Sequence, residues 1–191
     1  METRDGTYPR GGALSTREAR AARAVRVEVL LGSVAPEAPS PLHDRLRAAR
    51  SGDRDARRRM LQDVREAASD VWPDLAAATV VAVPGHAVGL PDPWLAEIAA
   101  AVATSRGWRL ERAALVRHAA ASEAKHGGAR DPEREMDTLT WSPSRRDGAV
   151  VLVDDVVRTG ATLDACAMRI LAADPERDVV AVVLATVLPV A

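Results

Sequence analysis

The chain has 191 residues, a formal net charge of −1 and 26 basic residues against 27 acidic ones. That length buries about two-thirds of the unfolded surface in a single compact core, and the near-neutral balance argues against nucleic acid as the main partner. One cysteine, Cys166, excludes an internal disulfide framework and a multi-cysteine zinc site and fits a reducing compartment.

Residues 1–14 are polar and glycine-rich and read as a tail without a core of its own. Ser15 and Glu18 have capping-box spacing, "VRVEVLLG" partly alternates as a strand does, and "APEAPSP" is a proline-punctuated connection. From Leu42 the pattern turns helical, with Met60, Leu61, Val64, Ala67, Ala68 and Val71 on one face and arginines and acids on the other. Residues 15–75 are therefore expected as an N-terminal helical hood, and residues 76–191 as the core domain.

Within that domain "ATVVAVP" is a continuous apolar strand ending at Pro84-Gly85, and a helix is expected from Pro93 to Gly107. "RLERAALVR" reads as a second strand, followed by a long polar excursion from His118 to Asp137 with no core face. "GAVVLVDD", "TLDACAMRILAAD" and "DVVAVVLATVL" read as strand, helix and strand. Strands that are apolar without alternation are covered on both faces, and their alternation with helices implies a mostly parallel central sheet flanked by helices, an α/β fold. No apolar run approaches the ~18 residues of a membrane span, and the N-terminus holds no signal-peptide core, so a cytoplasmic protein with no membrane partner is expected.

The chemistry concentrates in "VVLVDDVVRTGATLDACAMRIL", Val150 to Leu171. Asp154 and Asp155 end a buried strand, at the edge where parallel sheets bind ligands. Thr159, Gly160, Ala161 and Thr162 form a small-residue turn into a helix whose apolar positions are Leu163, Cys166, Ala167 and Ile170, with Thr162 the expected N-cap. Such a turn offers backbone N–H groups and the positive end of the helix dipole to a phosphate, each charge-assisted hydrogen bond contributing about 1.5–3 kcal/mol. Carboxylates in contact with that phosphate would repel it. Adjacent hydroxyls are the consistent partner for them, which makes the pair and the turn together a ribose 5-phosphate site. A Walker B reading fails because the sole lysine, Lys125, lies in "EAKHGG" rather than in a Gly-Lys-Ser/Thr loop, and a receiver-type acidic pocket fails because too few residues follow Asp155.

"VVLVDDVVRTGAT" resembles the phosphoribosyl-pyrophosphate signature of the type I phosphoribosyltransferases. "LHDRLRAARSGDRDARRRM", "WPDLAAATVVAVPGH" and "TGATLDACA" are similar in content and order to their ComF-like branch. The resemblance implies that Asp154 and Asp155 bind the ribose 2′ and 3′ hydroxyls and that Thr159, Gly160, Ala161 and Thr162 bind the 5′-phosphate, with Val156 and Arg158 also part of the phosphoribosyl-pyrophosphate site. It implies further that Pro84, Gly85 and His86 form the pyrophosphate loop, and that the excursion with Lys125, His126 and Arg130 is the flexible loop that closes over the substrate and meets its pyrophosphate, Lys125 acting in catalysis with the aspartates. Mg²⁺ is implied as cofactor, held through substrate and water with no protein-only metal site. The implied partners are phosphoribosyl pyrophosphate and an unidentified nucleobase or other nitrogen acceptor, with a homodimer as the assembly common in the family. The segment after His86, "AVGLPDPWLAEIA", lacks the basic Arg-Gly-Phe-Asn-Gln text usual in ComF-like proteins. That departure keeps a second expectation open, a non-catalytic sensor of phosphoribosyl pyrophosphate or nucleotide.

Overall fold

The computed structural model describes residues 25–34, 40–120 and 131–187. In chain order the elements are β1 (Arg26–Val34), α1 (Pro41–Arg50), α2 (Arg54–Ala68), β2 (Ala78–Ala82), α3 (Pro93–Arg106), β3 (Arg109–Leu110), β4 (Leu115–Arg117), α4 (Pro132–Met136), β5 (Leu139–Trp141), β6 (Ala149–Val157), α5 (Ala161–Ala173) and β7 (Val179–Val187). Five strands form an all-parallel sheet in the order β1-β7-β6-β2-β3, and β4 and β5 pair antiparallel in a separate two-stranded sheet.

The apolar runs become the strands they predict. All five residues of β2 are buried, as are the first five of β6. α3 opens at Asp92, whose side chain accepts from the Trp94 N–H, with Pro93 in the first turn, and it stops at Gly107. α2 buries Ala56, Met60, Val64 and Ala68, one stripe at helical spacing.

Two readings of the N-terminal half are refined. The segment expected as a helical hood also supplies β1, which pairs in parallel with β7 and widens the central sheet; α1 and α2 share its hydrophobic core. "RLERAALVR" is two strands in two sheets, because β3 ends after Leu110 and the chain turns before β4. The polar excursion after β4 does carry a core contribution: α4 turns Glu135 into the interior at 1% exposure, and Met136 packs on the core.

Topology positions the site. The step from β2 through α3 to β3 moves outward in one direction, and the step from β6 through α5 to β7 moves in the other. Right-handed crossovers then place α3 and α5 on opposite faces. α2 packs on α3, and α4 and β5 pack on α5, where Arg169 Nε donates to the Leu139 carbonyl at 2.7 Å. The direction of winding reverses between β6 and β2, so a crevice opens beyond their carboxyl ends.

Entry into β6 is tightly constrained. Gly148 has φ +71°, and a Cβ there would stand 2.9 Å from the Ala77 backbone carbonyl. Gly148→Ala combines a left-handed backbone with a clash against main chain, so a loss of about 2–4 kcal/mol is expected in denaturant unfolding; a loss under ~0.5 kcal/mol would show that the turn relaxes freely.

Candidate functional site

The crevice at the switch point gathers three stretches. Val83 N–H donates to the Val153 carbonyl at 2.9 Å, so the chain leaves β2 into Pro84 and Gly85 beside Asp154. Pro84 is buried, while Gly85, His86 and Ala87 are exposed. On β6, Asp155 is 7% exposed and Asp154 is partly buried. Asp154 accepts from the Asp155 N–H and Asp155 from the Val156 N–H, both at 2.8 Å, which fixes the two carboxyls against their own backbone.

The electrostatics follow from this packing. Loss of water, then the charge of Asp155, pushes the Asp154 carboxyl up to about 7. Burial also raises Asp155, opposed chiefly by the Arg50 guanidinium, whose Nη1 lies 3.5 Å from Asp155 Oδ2; the Asp92 charge adds to the rise. Arg50 ends α1, so the C-terminal end of that helix reaches the acidic pair. Sequence reasoning missed this contact, since 105 residues separate the partners and nothing local marks Arg50.

Beyond the aspartates the chain turns into α5. Val156 is partly buried, and Arg158 and Thr159 are exposed. The helix begins two residues earlier than expected: Gly160, with φ +78°, is the N-cap, Ala161 is the first helical residue, and Thr162 lies inside the first turn. Only glycine adopts that φ without strain, and no side chain caps the helix. Thr159 Oγ1 reaches Ala161 N–H at a long 3.5 Å. A helix start of this kind, beside a glycine turn, presents its N–H groups and dipole to an anion.

Sequence and structure thus bring together Asp154, Asp155, the turn from Thr159 to Thr162 and the loop from Pro84 to His86. Lys125, His126 and Arg130 lie outside the described residues. Cys166 is fully buried on α5 and its thiol is pushed up by burial, so it belongs to the core. Among the described residues no cluster of three or more His, Cys, Asp or Glu side chains could hold a metal ion, and no helix is long and apolar enough to cross a membrane.

Arg117 is the other residue that the sequence did not single out. It is 1% exposed at the end of β4, directly beneath the loop after β2: its Nε donates to the Gly85 carbonyl at 2.5 Å, its Nη1 donates to Thr138 Oγ1, and its Nη2 lies 4.0 Å from Glu135 Oε2. An arginine closing the apolar run "ALV" is the one local signal that could have flagged it.

The sequence matches no family model and no curated protein.

The raised Asp154 carboxyl gives a pH prediction. A carboxylate that accepts from ligand hydroxyls must be ionised, so affinity for a ribose phosphate should rise about ten-fold between pH 6 and pH 8 and level off above. Asp154→Asn should flatten that rise. Titrations across this range check it, and equal slopes in both proteins would remove Asp154 from the binding step.

Proposed function

We propose that the protein is a type I phosphoribosyltransferase-like enzyme that binds 5-phosphoribosyl 1-pyrophosphate and transfers its phosphoribosyl group to a nitrogen acceptor. The observation that carries the reading is the placement of Asp154 and Asp155 at the sheet's switch point, between an uncapped, glycine-opened helix start and the loop that leaves β2. Acidic and anion-binding features this close call for a ligand that offers hydroxyls at one end and phosphates at another.

In this reading the turn from Thr159 to Thr162 holds the 5′-phosphate with backbone N–H groups. Asp154 and Asp155 accept from the two ribose hydroxyls, and the Arg50 guanidinium beside Asp155 favours its charged form against burial. Between them they fix the sugar so that its anomeric carbon faces the crevice. The loop from Pro84 to His86 receives the pyrophosphate. The acceptor nitrogen forms a bond to the anomeric carbon as the bond to pyrophosphate oxygen breaks, the leaving group taking the electron pair. Catalysis is then mainly orientation and stabilisation of charge. The adjacent carboxyls of Asp154 and Asp155 suit Mg²⁺ bound largely through substrate oxygens and water, where it would supply charge neutralisation of the pyrophosphate.

A second reading, a phosphoribosyl-pyrophosphate sensor without turnover, draws on the loop after β2: from Pro84 to Leu90 its only ionisable side chain is His86. Release of pyrophosphate, assayed with Mg²⁺ and a panel of nucleobases, separates the two. Release with one base supports the enzyme; binding without release from any base supports the sensor and overturns the transferase.

A further inference from the structure

The loop after β2 carries no lysine or arginine of its own between Pro84 and Leu90, yet a guanidinium lies buried directly beneath it. We propose that Arg117 is a positioning residue that sets the Gly85–His86 peptide for anion binding and ties the loop to the β4–β5 hairpin and α4. This rests on the reading of the crevice as a phosphoribosyl-pyrophosphate site.

Three contacts carry the proposal. The side chain of Arg117 holds the Gly85 carbonyl, and the main chains of Gly89 and Arg117 exchange two hydrogen bonds, Gly89 N–H to Arg117 O at 2.8 Å and Arg117 N–H to Gly89 O at 3.2 Å. The loop is therefore gripped at both ends by one residue. The same guanidinium reaches Thr138 and Glu135, and Thr138 accepts from the His118 N–H through its carbonyl at 2.9 Å. Both the Arg117 and the Glu135 side chains are buried to within 1%.

The physical consequence lies in the peptide plane. No peptide bond among the described residues is cis. A trans peptide points its N–H opposite to its C=O, so fixing the Gly85 carbonyl on Arg117 fixes the direction of the His86 N–H as well. A cationic donor on the carbonyl also polarises the peptide and makes that N–H a stronger donor. Arg117 lends positive character to a loop whose sequence lacks it, without itself reaching the crevice.

The test compares two ligands. Ribose 5-phosphate engages the aspartates and the phosphate turn; phosphoribosyl pyrophosphate with Mg²⁺ also engages the loop after β2. Arg117→Lys keeps a cation opposite Glu135 but cannot hold Gly85 and Thr138 together with the same fork. Calorimetry of this variant should show phosphoribosyl-pyrophosphate affinity reduced ten-fold or more, with ribose 5-phosphate affinity within two-fold of wild type. Affinities that fall in parallel, or do not change, overturn the positioning role alone. Wild-type protein that binds neither ligand overturns the site reading and this proposal with it. If Arg117→Lys fails to fold, hydrogen exchange on unliganded wild type decides. The amides of Gly89, Arg117 and His118 should share one protection class, and Gly89 exchanging at the rate of an open loop while the other two stay protected overturns the coupling.

Discussion

Asp154→Asn combined with Asp155→Asn should remove measurable binding of ribose 5-phosphate and of Mg²⁺–phosphoribosyl pyrophosphate while the protein stays folded. Each carboxylate-to-hydroxyl hydrogen bond contributes about 1.5–3 kcal/mol, so losing both weakens binding roughly 10²–10⁴-fold. The fold survives because an asparagine Oδ1 can accept the same adjacent N–H groups, and the one distant partner, Arg50, is itself largely exposed. Above pH 7 the double variant should even be more stable than wild type. Burial raises the Asp154 carboxyl to about 7, far above its ordinary value of 3.8. A raised acid favours the fold fully below its unfolded value, and that contribution is lost as pH climbs through about 4 to 7. The wild-type protein therefore carries an ionisation cost at pH 8 that the amide lacks, on the order of 1–3 kcal/mol. Melting curves would show a variant advantage that is larger at pH 8 than at pH 5. A double variant that binds normally would refute the hydroxyl assignment.

The second large effect concerns stability. Arg117→Met removes the guanidinium beside buried Glu135 and takes donors from the Gly85 carbonyl and Thr138. Breaking a buried pair by removing one partner costs about 3–5 kcal/mol. In a chain of this size that lowers the melting temperature by roughly 10 °C. Adding Glu135→Leu should restore part of the loss, since no carboxyl then lies buried where the guanidinium was. Chemical denaturation of the two variants measures the difference. A single variant within ~1 kcal/mol of wild type would show that Arg117 is solvated through the loop and does not clamp it.

These two predictions come from parts of the molecule that the sequence exposes unequally. β2, α3, β6, α5 and β7 were legible because long apolar runs, Asp92-Pro93 and Gly107 mark buried strands and helix ends by local chemistry. Asp154 and Asp155 were legible for the same reason: two acids closing a run of valines in a parallel sheet must stand at its carboxyl edge. Three of the shorter elements were not. β3, β5 and α4 are too short for a period to show, and what holds them is tertiary: β5 pairs with β4 and packs on α5, and α4 is oriented by Glu135. The N-cap moved from Thr162 to Gly160 because the left-handed glycine ends the turn earlier than a hydroxyl would, a backbone preference that residue type alone leaves open. Arg50 and Arg117 were hidden among many arginines. Their roles depend on partners 105 and 32 positions away, Asp155 and Gly85, and an arginine that spans such a distance looks in sequence like any solvated one.

The central claim is that the crevice between β2 and β6 binds a phosphoribosyl pyrophosphate. Calorimetric titration of that compound with Mg²⁺ into the wild-type protein near pH 8 tests it most directly, with ribose 5-phosphate as competitor. The account predicts one saturable site per chain from which ribose 5-phosphate displaces the ligand. Absence of saturable binding, or binding that ribose 5-phosphate leaves untouched, would contradict it.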